Sequence, residues 1–280
     1  MNTNASPRRP LLCPGCRKLV SADESRCPHC GLRAPGARWR HIGGLRIFGS
    51  ADRLIHAIIA VNAVMYLLSL ALSSHGPGLT ANPLTFLAPD TRGLLLLGAT
   101  GAIPIDQLHR WWTPVSASYL HGGVLHILFN MMALRQIAPL VIREYGTYRM
   151  LIVYTLSGIL GFTASYMAGV GLTIGASAAV CGLIGAALYF GKSRGGVYGQ
   201  AVYRQVGGWA VGIVLFGLIV PGINNWAHGG GMGAGALLGL AMGYEDRVKE
   251  NGVHRNLGGL CLLLTMAVLG WAVLTGLISA

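Results

Sequence analysis

Charge is what this sequence has least of. Asp, Glu, Lys and Arg together make up 11% of its 280 residues, against roughly 25% in a soluble globular domain. With 53% hydrophobic residues, that scarcity excludes an ordinary water-soluble fold. Acidic residues are the rarest, nine against 21 Lys and Arg, which leaves a net charge of +12. A nucleic-acid partner does not follow from that excess. Ten of the 21 cations lie in the first 53 residues and most others sit in short segments between apolar stretches, as positive-inside loops do. No signal peptide is evident, because the first 50 residues are polar, Pro-rich and basic. What the chain has in abundance is glycine, 42 residues, which helical membrane proteins use for close helix packing.

Apolar segments at about 53–74, 118–142, 147–170, 173–191, 205–221, 225–243 and 255–279 each approach the ~20 residues that span a bilayer. They predict an all-α polytopic membrane protein with seven spans in a lipid bilayer. The stretch 94–103 is too short to cross and is expected in the interface. With the N-terminus in the cytoplasm, the even-numbered connections carry Arg143 and Arg149, then Lys192, Arg194 and Arg204, then Arg247, Lys249 and Arg255. The opposite loops carry Arg92 and Arg110, offset by Asp90 and Asp106. The bias places the N-terminus inside and the C-terminus outside.

Four of the six cysteines form two pairs, Cys13/Cys16 in CPGC and Cys27/Cys30 in CPHC. Two CxxC turns can close one tetrahedral zinc site. Disulfides are disfavoured in a cytoplasmic segment, and no βαβ pattern accompanies a redox motif. We therefore read residues 1–35 as a four-cysteine zinc-ribbon-like module whose structural zinc supplies its folding free energy, 36–50 as a basic linker and 51–280 as the membrane domain. Cys181 and Cys261 lie alone in apolar runs and read as small core residues.

Polar residues inside spans are candidates for function. The second span opens with HGGVLHILFN, in which His126 and Asn130 share a helix face, with His121 just before. The fourth opens with Ser177, and the sixth with His228 followed by Gly231 and Gly235. These three spans run in the same direction, so their polar ends gather at one depth. A serine, a histidine and an amide at one level are the parts of a serine hydrolase. Alone, each has a plainer reading: a serine bonding its own i−4 carbonyl, a histidine satisfied between helices, or glycine packing. No Asp or Glu lies at that depth, so the arrangement would be a dyad.

These motifs together resemble the rhomboid family over about residues 50–245. HGGVLHILFN resembles its second-helix pattern, GASA at 175–178 its GxSG motif, and AHGGGMGAG at 227–235 its AHxGGxxxG motif. WWTPVSASYLHGG resembles its first-loop region, and REYG at 143–146 its acidic turn. The resemblance implies a six-helix core plus one extra C-terminal transmembrane helix, in the bacterial inner membrane. It implies Ser177 as nucleophile, His228 as base, Asn130 and His126 as oxyanion helpers, transmembrane protein substrates, and no metal or cofactor in catalysis. Ala178, Cys181 and Thr113 depart from the family pattern. The alternative is a catalytically weak or inactive relative that binds client transmembrane helices. A transporter would need inverted repeats and charged midplane residues, and neither is present.

Overall fold

Short strands come first in the chain and long helices after. The computed structural model describes residues 10–13, 15–16, 18–21, 23–32, 51–74, 76, 78–82 and 85–279, and the chain divides into the units Met1–Leu54 and Ile55–Ala280. In the first unit, β1 (Pro10–Leu12) pairs antiparallel with β2 (Leu19–Ser21), Leu11 opposite Val20. The buried centre is Cys13, Val20 and Cys27, with Leu11, Cys16 and Leu32 packed around it. So little apolar area cannot hold a chain folded without a staple. The 36–50 linker lies outside the described residues.

Seven helices of 18 residues or more follow among the described residues, matching the seven apolar segments. Five are long and apolar enough to cross a membrane: α1 (Ala51–Ala71), α4 (Val124–Tyr145), α5 (Thr147–Met167), α7 (Gly196–Ile219) and α9 (Gly252–Ile278). The other two, α6 (Ser177–Arg194) and α8 (Asn225–Met242), fall outside that set. Glycine and polar side chains dilute their hydropathy. They are nonetheless central: α6 packs against α4, α5, α7 and α8, and α5 also packs on α8 and α9. Between α1 and α4 the chain forms α2 (Thr91–Leu96), a π-helical turn at Ile103–Gln107, α3 (Thr113–Ser116) and a 3-10 turn at Ala117–Tyr119. The expected 94–103 segment is therefore the end of α2 and a turn. Asp90 Oδ1 caps α2 by accepting from the Gly93 amide at 2.7 Å.

The α6–α8 contact is backbone on backbone. An ideal Cβ at Gly231 would lie 2.2 Å from the Ala178 carbonyl oxygen, and one at Gly235 would lie 1.9 Å from that of Gly182. From the other side, a Cβ at Gly185 would lie 1.9 Å from the Met232 carbonyl oxygen. Partners advance together along both chains, so the two helices run parallel at a separation only side-chain-free residues permit.

At the opposite end of the bundle, Arg149 departs from the sequence reading, which counted it among the loop cations. It is fully buried. Its guanidinium donates to the carbonyls of Tyr145, Met242 (3.2 Å), Gly243 (2.9 Å) and Val248 (2.9 Å), and to Glu245 Oε1 at 2.5 Å. Glu250 accepts from the Tyr148 and Arg149 amides at 2.7 and 3.1 Å, capping the start of α5. A forked, always charged donor suits this role where a lysine would not.

Candidate active site and metal centre

Ser177 is the first residue of α6, so its backbone N–H has no acceptor within the helix. The approach to it is fixed by backbone bonds to two other segments. Thr173 exchanges backbone hydrogen bonds with Thr100 at 2.7 and 3.1 Å, and the Gly175 amide donates to the Ala117 carbonyl at 2.9 Å. Gly175 has a φ of +127°, a conformation that favours glycine, and an ideal Cβ there would lie 2.8 Å from His126 Nε2. Ser177 Oγ lies 3.5 Å from the same point. The missing side chain leaves a small recess bordered by the hydroxyl and the imidazole.

His228 lies one turn inside α8. Its Nε2 and Ser177 Oγ are 2.8 Å apart, although 51 residues separate them in sequence. Asn224, the N-cap of α8, sets this position. Its Oδ1 accepts from the Ala227 amide at 3.1 Å, while its Nδ2 donates to Ser165 Oγ (2.5 Å) and Thr173 Oγ1 (2.9 Å). One side chain thus starts the helix that carries His228 and grips the loop that leads into Ser177. The sequence reading missed it. Its signal is the Asn directly before a helical run, a strong N-cap preference.

On α4, His126 Nδ1 accepts from the Gly122 amide at 3.2 Å. In the neutral ring the hydrogen therefore sits on Nε2, which faces the recess beside Gly175. His121 is fully buried, its ring edge-on to that of His126 at 5.0 Å. Asn130 is buried one turn further along, and its Nδ2 donates to the His126 carbonyl at 2.9 Å. That bond lies within α4, not to the dyad. The structure thus joins Ser177 and His228 directly, sets His126 beside them and leaves Asn130 one step removed.

The rhomboid family model matches residues 108–245, the segment that carries Ser177, His228, His126 and Asn130. The chain carries a rhomboid domain. It is 32% identical over 183 residues to Rhomboid protease GluP of Bacillus subtilis, covering 64% of this chain and 34% of that one. It is 34% identical over 164 residues to RHOMBOID-like protein 4 of Arabidopsis thaliana, covering 58% and 41%. With Rhomboid-like protease 3 of Toxoplasma gondii it shares 33% over 137 residues, 49% and 48% of the two chains. The chain thus spans about a third to a half of the length of these relatives. With five helices apolar enough to cross a bilayer, it is a multi-pass integral membrane protein.

The departures from the rhomboid pattern have places in the structure. The Ala178 methyl clusters with Ala117, Phe162 and Ala227, packed where Gly161 leaves room. Thr113 is fully buried; its hydroxyl donates to Arg110 O (2.8 Å) and lies 2.9 Å from the Thr100 hydroxyl, from which it can accept, bracing the residue that pairs with Thr173. Cys181 is buried. Arg135 is exposed on the outside of α4.

In the first unit, the Sγ atoms of Cys13, Cys16, Cys27 and Cys30 all lie within 4.8 Å of one another and could hold a metal ion. The closest pairs, Cys13–Cys30 and Cys16–Cys27, are 3.7 Å apart. Four sulfurs placed tetrahedrally at about 2.3 Å from a metal would be ~3.8 Å apart, so the set fits. Burial opposes ionisation of Cys13, but the amides of Cys16 and Gly15 and the neighbouring thiols outweigh it and lower its pKa to about 7. Although the Leu32 amide favours the Cys30 thiolate, burial and the other three sulfurs push that group up to about 12. The first proton leaves easily and the last does not, which is the behaviour of a thiolate cluster that needs a cation at its centre.

Proposed function

We propose that the rhomboid domain is an intramembrane serine endopeptidase that cleaves transmembrane segments of membrane proteins with Ser177 as nucleophile and His228 as general base. The observation that carries this reading is the 2.8 Å contact between Ser177 Oγ and His228 Nε2 across two helices. In the proposed reaction Nε2 takes the hydroxyl proton as Oγ attacks the scissile carbonyl, and returns it to the leaving amine. The Ser177 N–H, at the positive end of α6, and the His126 Nε2–H hold the oxyanion. Asn130 assists through the second hydrogen of its amide. The resulting acyl-enzyme is hydrolysed by water with His228 again as base, and no metal takes part. Because a helix hides its carbonyls, favoured substrates carry Gly or Pro near the cut. Packing of the Ala178 methyl away into the Ala117 cluster supports activity over an inert relative. The test is incubation of the purified chain, reconstituted in liposomes, with a single-span substrate, together with fluorophosphonate labelling. Cleavage and a label on Ser177 are expected; an unlabelled Ser177 and an intact substrate would overturn the reading.

For the rest of the chain we propose a structural zinc held by Cys13, Cys16, Cys27 and Cys30 in a module over residues 1–35. The 36–50 linker follows it, with the N-terminus cytoplasmic and the membrane domain over 51–280. About one zinc per chain is expected, since four thiolates close one site. Cys13→Ser with Cys27→Ser should release it. Binding should weaken as pH falls, and more steeply below about 7, where Cys13 as well as Cys30 must give up a proton to the solvent. Proteolysis in vitro should survive metal removal; loss with a chelator and recovery with zinc would show the two modules to be coupled.

A further inference from the structure

The Ser177–His228 pair leaves one atom of the imidazole unexplained. For Nε2 to accept the serine proton, Nδ1 of the same ring must carry the hydrogen of the neutral form. That Nδ1 is buried and has no hydrogen-bond partner among the described residues. A second buried atom in the same condition, Asn225 Oδ1, lies three residues earlier on α8. Residues three apart share a helix face, and both side chains line one cavity of about 440 Å³ between α6, α7 and α8. One atom is a donor and the other an acceptor. The other large side chains on the wall are Leu188, Val214, Leu218 and Met232, none of which competes for either.

The amide of Asn225 also lies against α7. An ideal Cβ at Gly217 on α7 would lie 2.0 Å from Asn225 Oδ1, so the α7 backbone closes around this amide where residue 217 lacks a side chain. We propose that Asn225 is a positioning residue that accepts the Nδ1–H of His228 through one water held between them at the head of the α6–α7–α8 cavity. The cavity is wide enough for a water and the two atoms would be its polar partners; each is shielded in this structure, so seating the water takes a small turn of the Asn225 amide. This assignment rests on the protease reading above. Asn225 takes up no proton: the Ser177 proton passes to Nε2, and the Nδ1 hydrogen stays on the ring. A neutral amide performs the orienting task without the desolvation cost of a carboxylate at membrane depth. The groups recorded against His228 are His126 on α4 and the Ser177 hydroxyl on α6, and the part of α7 that lines the cavity carries no titratable group.

The test uses the full chain in liposomes, with kcat and KM measured separately from about pH 5 to 9. Asn225→Val should lower kcat by about 10- to 100-fold, the size of effect seen when an orienting partner is removed, with KM little changed. Asn225→Asp should restore kcat and move its acid limb to higher pH, since a carboxylate favours imidazolium. A merely structural role would not move that limb. Wild-type kcat in Asn225→Val, or an unmoved limb in Asn225→Asp, would overturn the proposal. Histidine ¹⁵N spectra of the wild-type protein, assigned against His228→Gln, supply a readout independent of the variants' folding. Hydrogen on Nδ1 is expected, and hydrogen on Nε2 overturns the assignment. An inactive wild type with hydrogen on Nδ1 would count against the protease reading alone.

Discussion

Replacing Ser177 with alanine should reduce cleavage of a single-span substrate by on the order of 10⁴-fold or more, and His228→Ala should do the same. The double variant should be no worse than either, because nucleophile and base act as one unit. Folding should persist. Ser177 begins α6 but does not cap it, the N-cap being Ala176, and losing its 2.8 Å bond to His228 costs about 1 kcal/mol. Thermal unfolding measured beside the cleavage rate separates the two effects. Substantial turnover in either single variant would remove the dyad from the mechanism.

Gly231→Ala should be nearly as damaging while leaving every reactive group in the chain. Its new methyl carbon would lie 2.2 Å from the Ala178 carbonyl oxygen, a backbone atom that can yield only by moving α6 from α8. Ser177 and His228 sit at the top of that contact. A displacement of about 1 Å can cost on the order of 100-fold in rate, whereas overpacking itself costs roughly 1–3 kcal/mol. Gly270→Ala on α9 is the control, because its added carbon meets nothing within 4 Å. Similar rates for Gly231→Ala and Gly270→Ala would mean that the glycine contact does not set the geometry.

The site was legible where chemistry is written in side chains. Ser177, His228 and the paired cysteines stand in short motifs of fixed spacing, and the structure brings each set together. The glycines at 182, 185, 231 and 235 were readable for the same reason, since an absent side chain is also a letter of the sequence. What escaped involves main-chain partners. Arg149 looked like a loop cation because the carbonyls of Met242, Gly243 and Val248 that it satisfies leave no trace in composition. Asn225 is not legible in the sequence because the space it fills opposite Gly217 is created by a helix from another part of the chain. Boundaries slipped for a related cause. The fourth apolar segment begins at 173, yet Thr173 pairs with Thr100 in extended form and α6 starts only at Ser177.

The two helices that carry Ser177 and His228 are the two long ones not apolar enough to cross a membrane by composition. What lipid alone offers them less of, each helix finds in the other, packing backbone on backbone at their glycines. Ser177 and His228 stand 51 residues apart, so the proposed dyad is incomplete until α8 has been synthesised and packed on α6. Under that reading, a polypeptide that stops before α8 carries the serine without its base.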